Sequence, residues 1–496
     1  MIKHCAAGRV LGGRTPGRFI MRLASRGLVP ILSLLISGCI APPRVSPVER
    51  PLESRPDLGL NAAPAPFQDH WWAGYHDAQL DRVLNAALAD NPTLRQTVAR
   101  LRQAQAVVDA TRAALWPYIS YDAAETRQRF SGDDVIPPPY AGSYRWEGHE
   151  GLDFSWELDF WGRQSSLVRQ ARGEADAAAL DAAAARLAIV GAVVRTYLDL
   201  ERSYELVDVA RREEQQRQQI LDITRHRFNA GLDTNVELRQ AAGAVPQARV
   251  ERVTVEAEIA RDAHLLSALA GQGAARYSEI QRPALHLDAV LAVPGALPVD
   301  LLARRPDVLA ARSRVSSTQA GLAVARADFY PNIDLLAFAG TAAVGFDNLF
   351  HGGSAALGVG PALHLPVFDA GRLKANYRAK TADIDIAVTA YNQAVLTAVR
   401  ETADQLSDIA SLDSSLVEQQ QSLDDAEVAF RLATERYTAG VTTYLTVLTT
   451  ETEVLAERRQ RIDLEAARAS ARVTLLIDVG GDFRSDATTL AAGTGR

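Results

Sequence analysis

Twice along this chain an alternating apolar stretch passes through a Gly-Arg pair into a helical pattern more than about sixty residues long. In the first passage Leu152, Phe154, Trp156, Leu158 and Phe160 fall on one face of a predicted strand, with Asp153, Ser155, Glu157 and Asp159 on the other. Trp161-Gly162-Arg163 then hands over to a helix. In the second, Leu357, Val359, Leu363 and Leu365 alternate before Ala370-Gly371-Arg372 does the same. Large apolar groups on one side and acids opposite suit a wall between lipid and water. An ordinary half-buried strand would read alike, and it is the repetition that separates the two.

The repeat extends well beyond these stretches. Asn91-Pro92 to Trp116-Pro117 is echoed by Arg305-Pro306 to Tyr330-Pro331 at an offset of 214, and Arg227-Phe228-Asn229-Ala230-Gly231 by Arg436-Tyr437-Thr438-Ala439-Gly440 at 209. Different motif types in one order at near-constant spacing indicate duplication. The first repeat is placed at 71–272, with strands about 118–130 and 144–161, a long helix 163–228 and a return helix 234–270. An irregular, proline-bearing equatorial linker covers 273–299. The second repeat covers 300–480, with strands about 332–344 and 355–369, a long helix 372–438 and a return helix 442–479, before a tail at 481–496. Leu180, Ala183, Leu187, Val190, Val194, Tyr197 and Tyr204 form a seam on the first long helix. Ile384, Val388, Tyr391, Val395 and Ala398 form one on the second. Pro246 inside the first return helix predicts a kink or break.

The predicted fold is therefore a mixed, internally duplicated membrane α/β architecture with four β-strands per chain. With apolar faces toward lipid, an open four-stranded sheet would leave edge groups unpaired in hydrocarbon, each costing several kcal/mol. Closure by a trimer gives a 12-stranded outer-membrane β-barrel, whereas a dimer's eight strands enclose too narrow a tube for large cargo. The long helices would continue that barrel as an α-helical tube. Each would reach on the order of 100 Å at ~1.5 Å per residue.

The address lies at the N-terminus. Lys3, Arg9, Arg14, Arg18, Arg22 and Arg26 precede an apolar run from Gly27 to Ile36, the layout of a signal peptide over residues 1–38, with Met1 or Met21 as the start. Leu35-Ile36-Ser37-Gly38-Cys39 resembles the lipobox of bacterial lipoproteins, which makes Cys39 the expected lipid anchor, acylated with palmitate. Ile40, rather than an acid, follows it and favours the outer membrane. Residues 39–70 read as a lipidated, Pro-rich tether. Removing residues 1–38 takes away six basic groups and no acid, so the net charge goes from −7 to −13. An acidic body argues against nucleic acid and suits an acidic lumen. Cys5 and Cys39 are the only cysteines, so the body holds no disulfide framework or cysteine metal site.

The lipobox, Trp71-Trp72, Leu158-Asp159-Phe160-Trp161-Gly162-Arg163, the segment Leu297 to Asp307 with Arg304-Arg305-Pro306-Asp307, Tyr330-Pro331-Asn332-Ile333 and Phe368-Asp369-Ala370-Gly371-Arg372 together carry a resemblance. The chain resembles the TolC-like outer-membrane efflux proteins, most closely the NodT-type lipoproteins of RND drug-efflux systems, over almost the whole mature sequence. The resemblance implies a homotrimeric channel in the cell outer membrane, extending into the periplasm. It would passively conduct small molecules such as drugs, antibiotics included, delivered by a periplasmic adaptor (membrane fusion protein) and an inner-membrane RND pump. It also implies that the hairpin tips, with Arg227, Asn229, Gly231, Arg436, Thr438 and Gly440, meet the adaptor, although the same residues are what plain helix ends require. Where many relatives ring the aperture with aspartates this chain has Thr446 and Thr449. Asp233 and Glu237, or Glu451 and Glu453 further on, are the alternative sources of negative charge, unless they are simply solvated helix surface.

No phosphate loop, nucleophile elbow or His-Glu-x-x-His metal motif occurs, so neither an enzyme nor a cofactor is expected. Type I protein secretion is the alternative within the channel class. A non-conducting periplasmic coiled-coil scaffold or adaptor is the alternative outside it, and it leaves the duplicated strands without a purpose.

Overall fold

The computed structural model describes residues 42–52, 60, 62–63, 70–133, 137–289, 291–298 and 300–483. The signal segment, Cys39, most of the tether after residue 52 and the tail beyond 483 lie outside the described residues. The chain divides into a strand unit, 117–163 with 325–378, and a helical unit, 45–116, 164–324 and 379 onward. The duplication is visible in the element lengths. The first repeat holds α1 (Ala78–Asp90), α2 (Pro92–Ala113), strands β1 (Tyr118–Arg129) and β2 (Tyr144–Glu157), α3 (Arg163–Asn229) and α4 (Asn235–Leu269). The second holds α5 (Pro306–Ala327), β3 (Asn332–Val344), β4 (Ala355–His364), α6 (Arg372–Thr438) and α7 (Tyr444–Asp478). Helices α2 and α5 both have 22 residues, α3 and α6 both 67, and α4 and α7 both 35, so one template was copied element for element.

In the strand unit the four strands form one antiparallel sheet in the order β1-β2-β3-β4, so the two repeats join at β2–β3. The register builds apolar rows across the whole sheet. Ile119 pairs with Phe154, Phe154 with Ala337 and Ala337 with Val359; the next row runs Tyr121, Leu152, Ala339, Leu357. Directly opposed residues share a face. These rows are open, with Leu357 80% and Val359 76% exposed, a contiguous apolar surface of the kind that water does not tolerate uncovered.

Two strands end earlier than their alternation suggests. Leu158 still donates to Ile333 O (2.9 Å), but Phe160 then turns back onto Leu158 O (2.8 Å), and Gly162, at φ +72°, leads into α3, so β2 stops at Glu157 rather than 161. Trp161 leaves the ladder to stack on Tyr330 at 4.8 Å, its Nε1 donating to Pro331 O (2.8 Å). β4 stops at His364 rather than 369 because its partner β3 begins at Asn332, which pairs with His364. Asp369 is taken up as the N-terminal cap of α6, accepting from Gly371 N (2.9 Å) and Leu373 N (2.8 Å).

In the helical unit the heptad seams are the core. Val190, Val194 and Tyr197 are buried on α3 with Leu80 and Leu84 of α1, and Ile384, Val388, Tyr391, Val395 and Ala398 on α6 with Val308 and Val315 of α5; Leu187 is buried further along the same seam. Asp77 caps α1 and ties it to α3 by accepting from Tyr197 Oη (2.8 Å). The expected break at Pro246 does not occur. α4 is continuous from Asn235 to Leu269, Pro246 lies on its exposed side, and Arg217 Nη1 donates to the Ala244 carbonyl beside it (3.2 Å). The tether is clipped rather than loose over 48–52. Val48 N and Glu49 N donate to Asp385 (2.8 and 3.0 Å), Leu52 N to Asn392 Oδ1 (2.9 Å), and Leu52 is buried with Ile384 and Val388.

Each return helix ends against the entry to a short one. Asn91 donates to Leu269 O (2.8 Å), and at the matching place Arg305 donates to Asp478 O (3.4 Å). Beside them Gly271 (φ +69°) lies so near Asp90 that an added Cβ would meet its carbonyl oxygen at 2.4 Å. For Gly480 (φ +98°) the Arg304 oxygen would be met at 2.3 Å. Both the left-handed backbone and the close approach exclude a side chain. Gly271→Ala and Gly480→Ala are each expected to destabilise the fold by on the order of 2–4 kcal/mol, read as a lowered thermal unfolding midpoint, whereas Gly243→Ala, in open space within α4, should be neutral or mildly stabilising.

Candidate functional site at the helical tips

Both helix pairs reverse through the same turn. Leu232 N reaches Arg227 O (2.9 Å) and Gly231 N reaches Phe228 O (3.0 Å); Val441 N reaches Arg436 O (2.8 Å) and Gly440 N reaches Tyr437 O (2.9 Å). Gly231 and Gly440 share φ +76°. These paired bonds around a left-handed glycine satisfy the last helical carbonyls and turn the chain. Thr234 and Glu237 then start α4 as a reciprocal capping box, with Val236 N donating to Thr234 Oγ1 (3.1 Å) and Thr234 N to Glu237 Oε2 (2.9 Å).

On this shared backbone the side chains of the two tips meet. Arg227 forms a two-pronged ion pair with Asp233, Nε to Oδ2 at 2.9 Å and Nη2 to Oδ1 at 3.1 Å, while Nη1 donates to Tyr437 O (2.9 Å). The guanidinium carbon lies 4.5 Å from the centre of the Tyr437 ring. The Tyr437 hydroxyl donates to Asp233 Oδ2 (2.5 Å), with Thr224 Oγ1 at 3.0 Å. Ile220, Leu221, Ala241, Val245, Ala433, Tyr444 and Val447 form the apolar base beneath. Burial works to raise the Asp233 carboxyl, but bonds from Arg227 and Tyr437 outweigh it and hold it below the usual range. Tyr437 is pushed up to about 12, by burial first and then by Asp233.

The candidates named from sequence are thus sorted. Asp233, a candidate source of charge for the aperture, has a side chain 8% exposed in the single chain and is ion-paired to Arg227. Glu237 is held below its usual range by Thr234 and serves the cap. Thr446 accepts from Thr442 Oγ1 (3.0 Å) and Thr449 donates to Leu445 O (2.9 Å), both on exposed helix surface. Asn229, Gly231, Arg436, Thr438 and Gly440 are exposed at the turns. Tyr437 and Thr224 complete the cluster and were not singled out. The signal that finds them is a mismatch in the repeat, since at offset 209 Phe228 corresponds to Tyr437 and Asp233 to Thr442.

Glu451, one of the alternative sources of that charge, is buried within the chain. It is 1% exposed, 3.9 Å from Arg217 Nε, and accepts from Gln216 (3.5 Å), while Arg217 and Arg459 bind Glu213 at 2.9 and 3.0 Å. Burial pushes its carboxyl up to about 7, Arg217 opposing and Glu213 adding. An acid raised on folding stabilises least when ionised, so its cost appears as pH rises from the unfolded value through about 7. Glu451→Gln is therefore expected to stabilise the fold at pH 8 by on the order of 1–3 kcal/mol, read as a raised thermal midpoint, with the advantage shrinking as pH falls and gone below the unfolded carboxyl value. Among the described residues no group of His, Cys, Asp and Glu is arranged to hold a metal ion.

A family model described as "Outer membrane efflux protein" matches residues 83–272 and 297–481. The chain is 37% identical over 367 residues to the fusaric acid resistance protein FusA of Burkholderia cepacia, covering 71% of this chain and 68% of that one. It is 31% identical over 469 residues to the toluene efflux pump outer membrane protein TtgF of Pseudomonas putida, covering 91% and 96%. The crystal structure of the outer membrane protein VceC of Vibrio cholerae superposes with a TM-score of 0.79 at 30% identity, over 84% of this chain and all of that one.

Proposed function

The chain belongs to the outer membrane efflux protein family, and on that premise we propose that three copies form a passive conduit for small organic molecules. Outer-membrane location and efflux come with the family. The stoichiometry, the passive route and the cargo class are our reading. The observation that carries it is the four-stranded sheet with β1 and β4 as edges and apolar rows open on one face. In hydrocarbon those edges require partners, and three identical sheets closed edge to edge supply them. The names of relatives, toluene efflux and fusaric acid resistance, favour small molecules over secreted protein. The channel contributes a route rather than energy, so a periplasmic adaptor and an inner-membrane RND pump are required, the adaptor meeting the tips around Asn229, Gly231, Arg436, Thr438 and Gly440. Cys39 serves as the acylated anchor.

Deletion of the gene is expected to lower resistance to small lipophilic toxicants while leaving exported proteins unchanged. The purified protein should have the mass of three chains in detergent and conduct in planar bilayers. Unchanged resistance together with a missing secreted protein would favour the secretion reading, and a water-soluble monomer would end both. Cys39→Ala should abolish incorporation of labelled palmitate.

A further inference from the structure

The two tips share a backbone but not a chemistry. At offset 209, Arg227 corresponds to Arg436, Phe228 to Tyr437, Asp233 to Thr442 and Thr224 to Ala433. Within one chain the first tip offers the arginine and the acid, and the second offers the tyrosine that receives them. Their counterparts are left over. Arg436 is exposed and Phe228 is 37% exposed, whereas Tyr437, at the same place in the other repeat, is 1% exposed.

We propose that Arg436 seats on the Phe228 ring of a second copy of this chain, and that this seam between copies is the weaker of the two kinds. The inference rests on the closed ring of three copies. In such a ring, tip seams within chains alternate with seams between chains, and the duplicated backbone presents the same surface to both. Where Arg227 covers Tyr437 inside the chain, Arg436 covers Phe228 of the neighbour and reaches the Phe228 carbonyl as Arg227 reaches that of Tyr437. The seam between copies keeps the cation over an aromatic face and the guanidinium-to-carbonyl bond. It lacks the two-pronged ion pair, because Thr442 stands where Asp233 would be, and the phenol bond, because Phe228 has no hydroxyl. Charge-assisted bonds are the strong members of such a set, so the tips part between copies before they part within one.

The contact can be read directly, because outside Cys5 and Cys39 the chain has no cysteine to compete. An arginine's reach exceeds what a disulfide can bridge, so Arg436→Cys with Phe228→Cys, treated with a short bis-maleimide, is the probe. Species at twice and three times the chain mass are expected from the pair, and none from either single variant. A detergent-purified pair variant that retains the mass of three chains yet yields no cross-linked species overturns the contact. A wild-type chain that is not oligomeric overturns the ring reading and this inference together. The second arm adds the missing groups. Phe228→Tyr with Thr442→Asp is expected to rebuild the acid and phenol between copies, cutting bilayer conductance and complemented resistance about fourfold or more, beyond the product of the single changes. Effects that multiply independently would show that the weakness of the seam is not set by these groups.

Discussion

A backbone amide in hydrocarbon has no water to fall back on, and this one constraint shapes the rest of the chain. The sheet has two edges, β1 and β4, and its register gathers Ile119, Phe154 and Val359 into one lipid-suited row and Tyr121, Leu152 and Leu357 into the next. The described residues form a four-stranded sheet, and on the proposed reading copies of the chain supply the remaining wall. Duplication makes this possible at low cost in design. If the second repeat presents a surface like the first, the join used inside the chain at β2–β3 can be reused between chains.

The helical unit shows which features of the template could not be changed. Asp90 against Gly271 and Arg304 against Gly480 leave no room for even a methyl group, and the helix ends beside them are closed by Asn91 on Leu269 and Arg305 on Asp478. The side chains have diverged, from asparagine to arginine, while the backbone approach has been kept. Close packing of main chain on main chain has no small adjustments available to it. Arg305 draws in Asp307 (2.8 Å) and Glu401 (3.0 Å), which compensates a cationic residue that is only 8% exposed.

Periodicity made most of this legible. A seam of Leu187, Val190, Val194 and Tyr197 must be buried somewhere, and the length over which it persists admits little besides a long packed helix. Asn-Pro and Arg-Pro marked the short helices because a proline at the first helical position gives up no intrahelical hydrogen bond. The strand ends were less legible, since alternation continues through Leu158 and Phe160 although the ladder stops. Ladder bonds depend on a partner strand, which a pattern of hydrophobicity does not report. The break expected at Pro246 failed for the same kind of reason, since the helix is held by its packed side, where Ala241, Val245 and Ala248 are buried, while the proline faces outward. At the tips the turns were readable from glycine, but the partners of Asp233 were not, because Tyr437 is 204 residues away.

That last pairing bears on how charge is used near the tips. Asp233 and Glu451, the acids that sequence position would assign to an entrance, are drawn inward, one neutralised by Arg227 and the other shielded beside Arg217. Thr446 and Thr449 lie on the exposed surface together with Asn229, Glu435, Arg436 and Glu453. Asp233 joins the two tips through Arg227 and Tyr437, a bond set that its counterpart Thr442 cannot make.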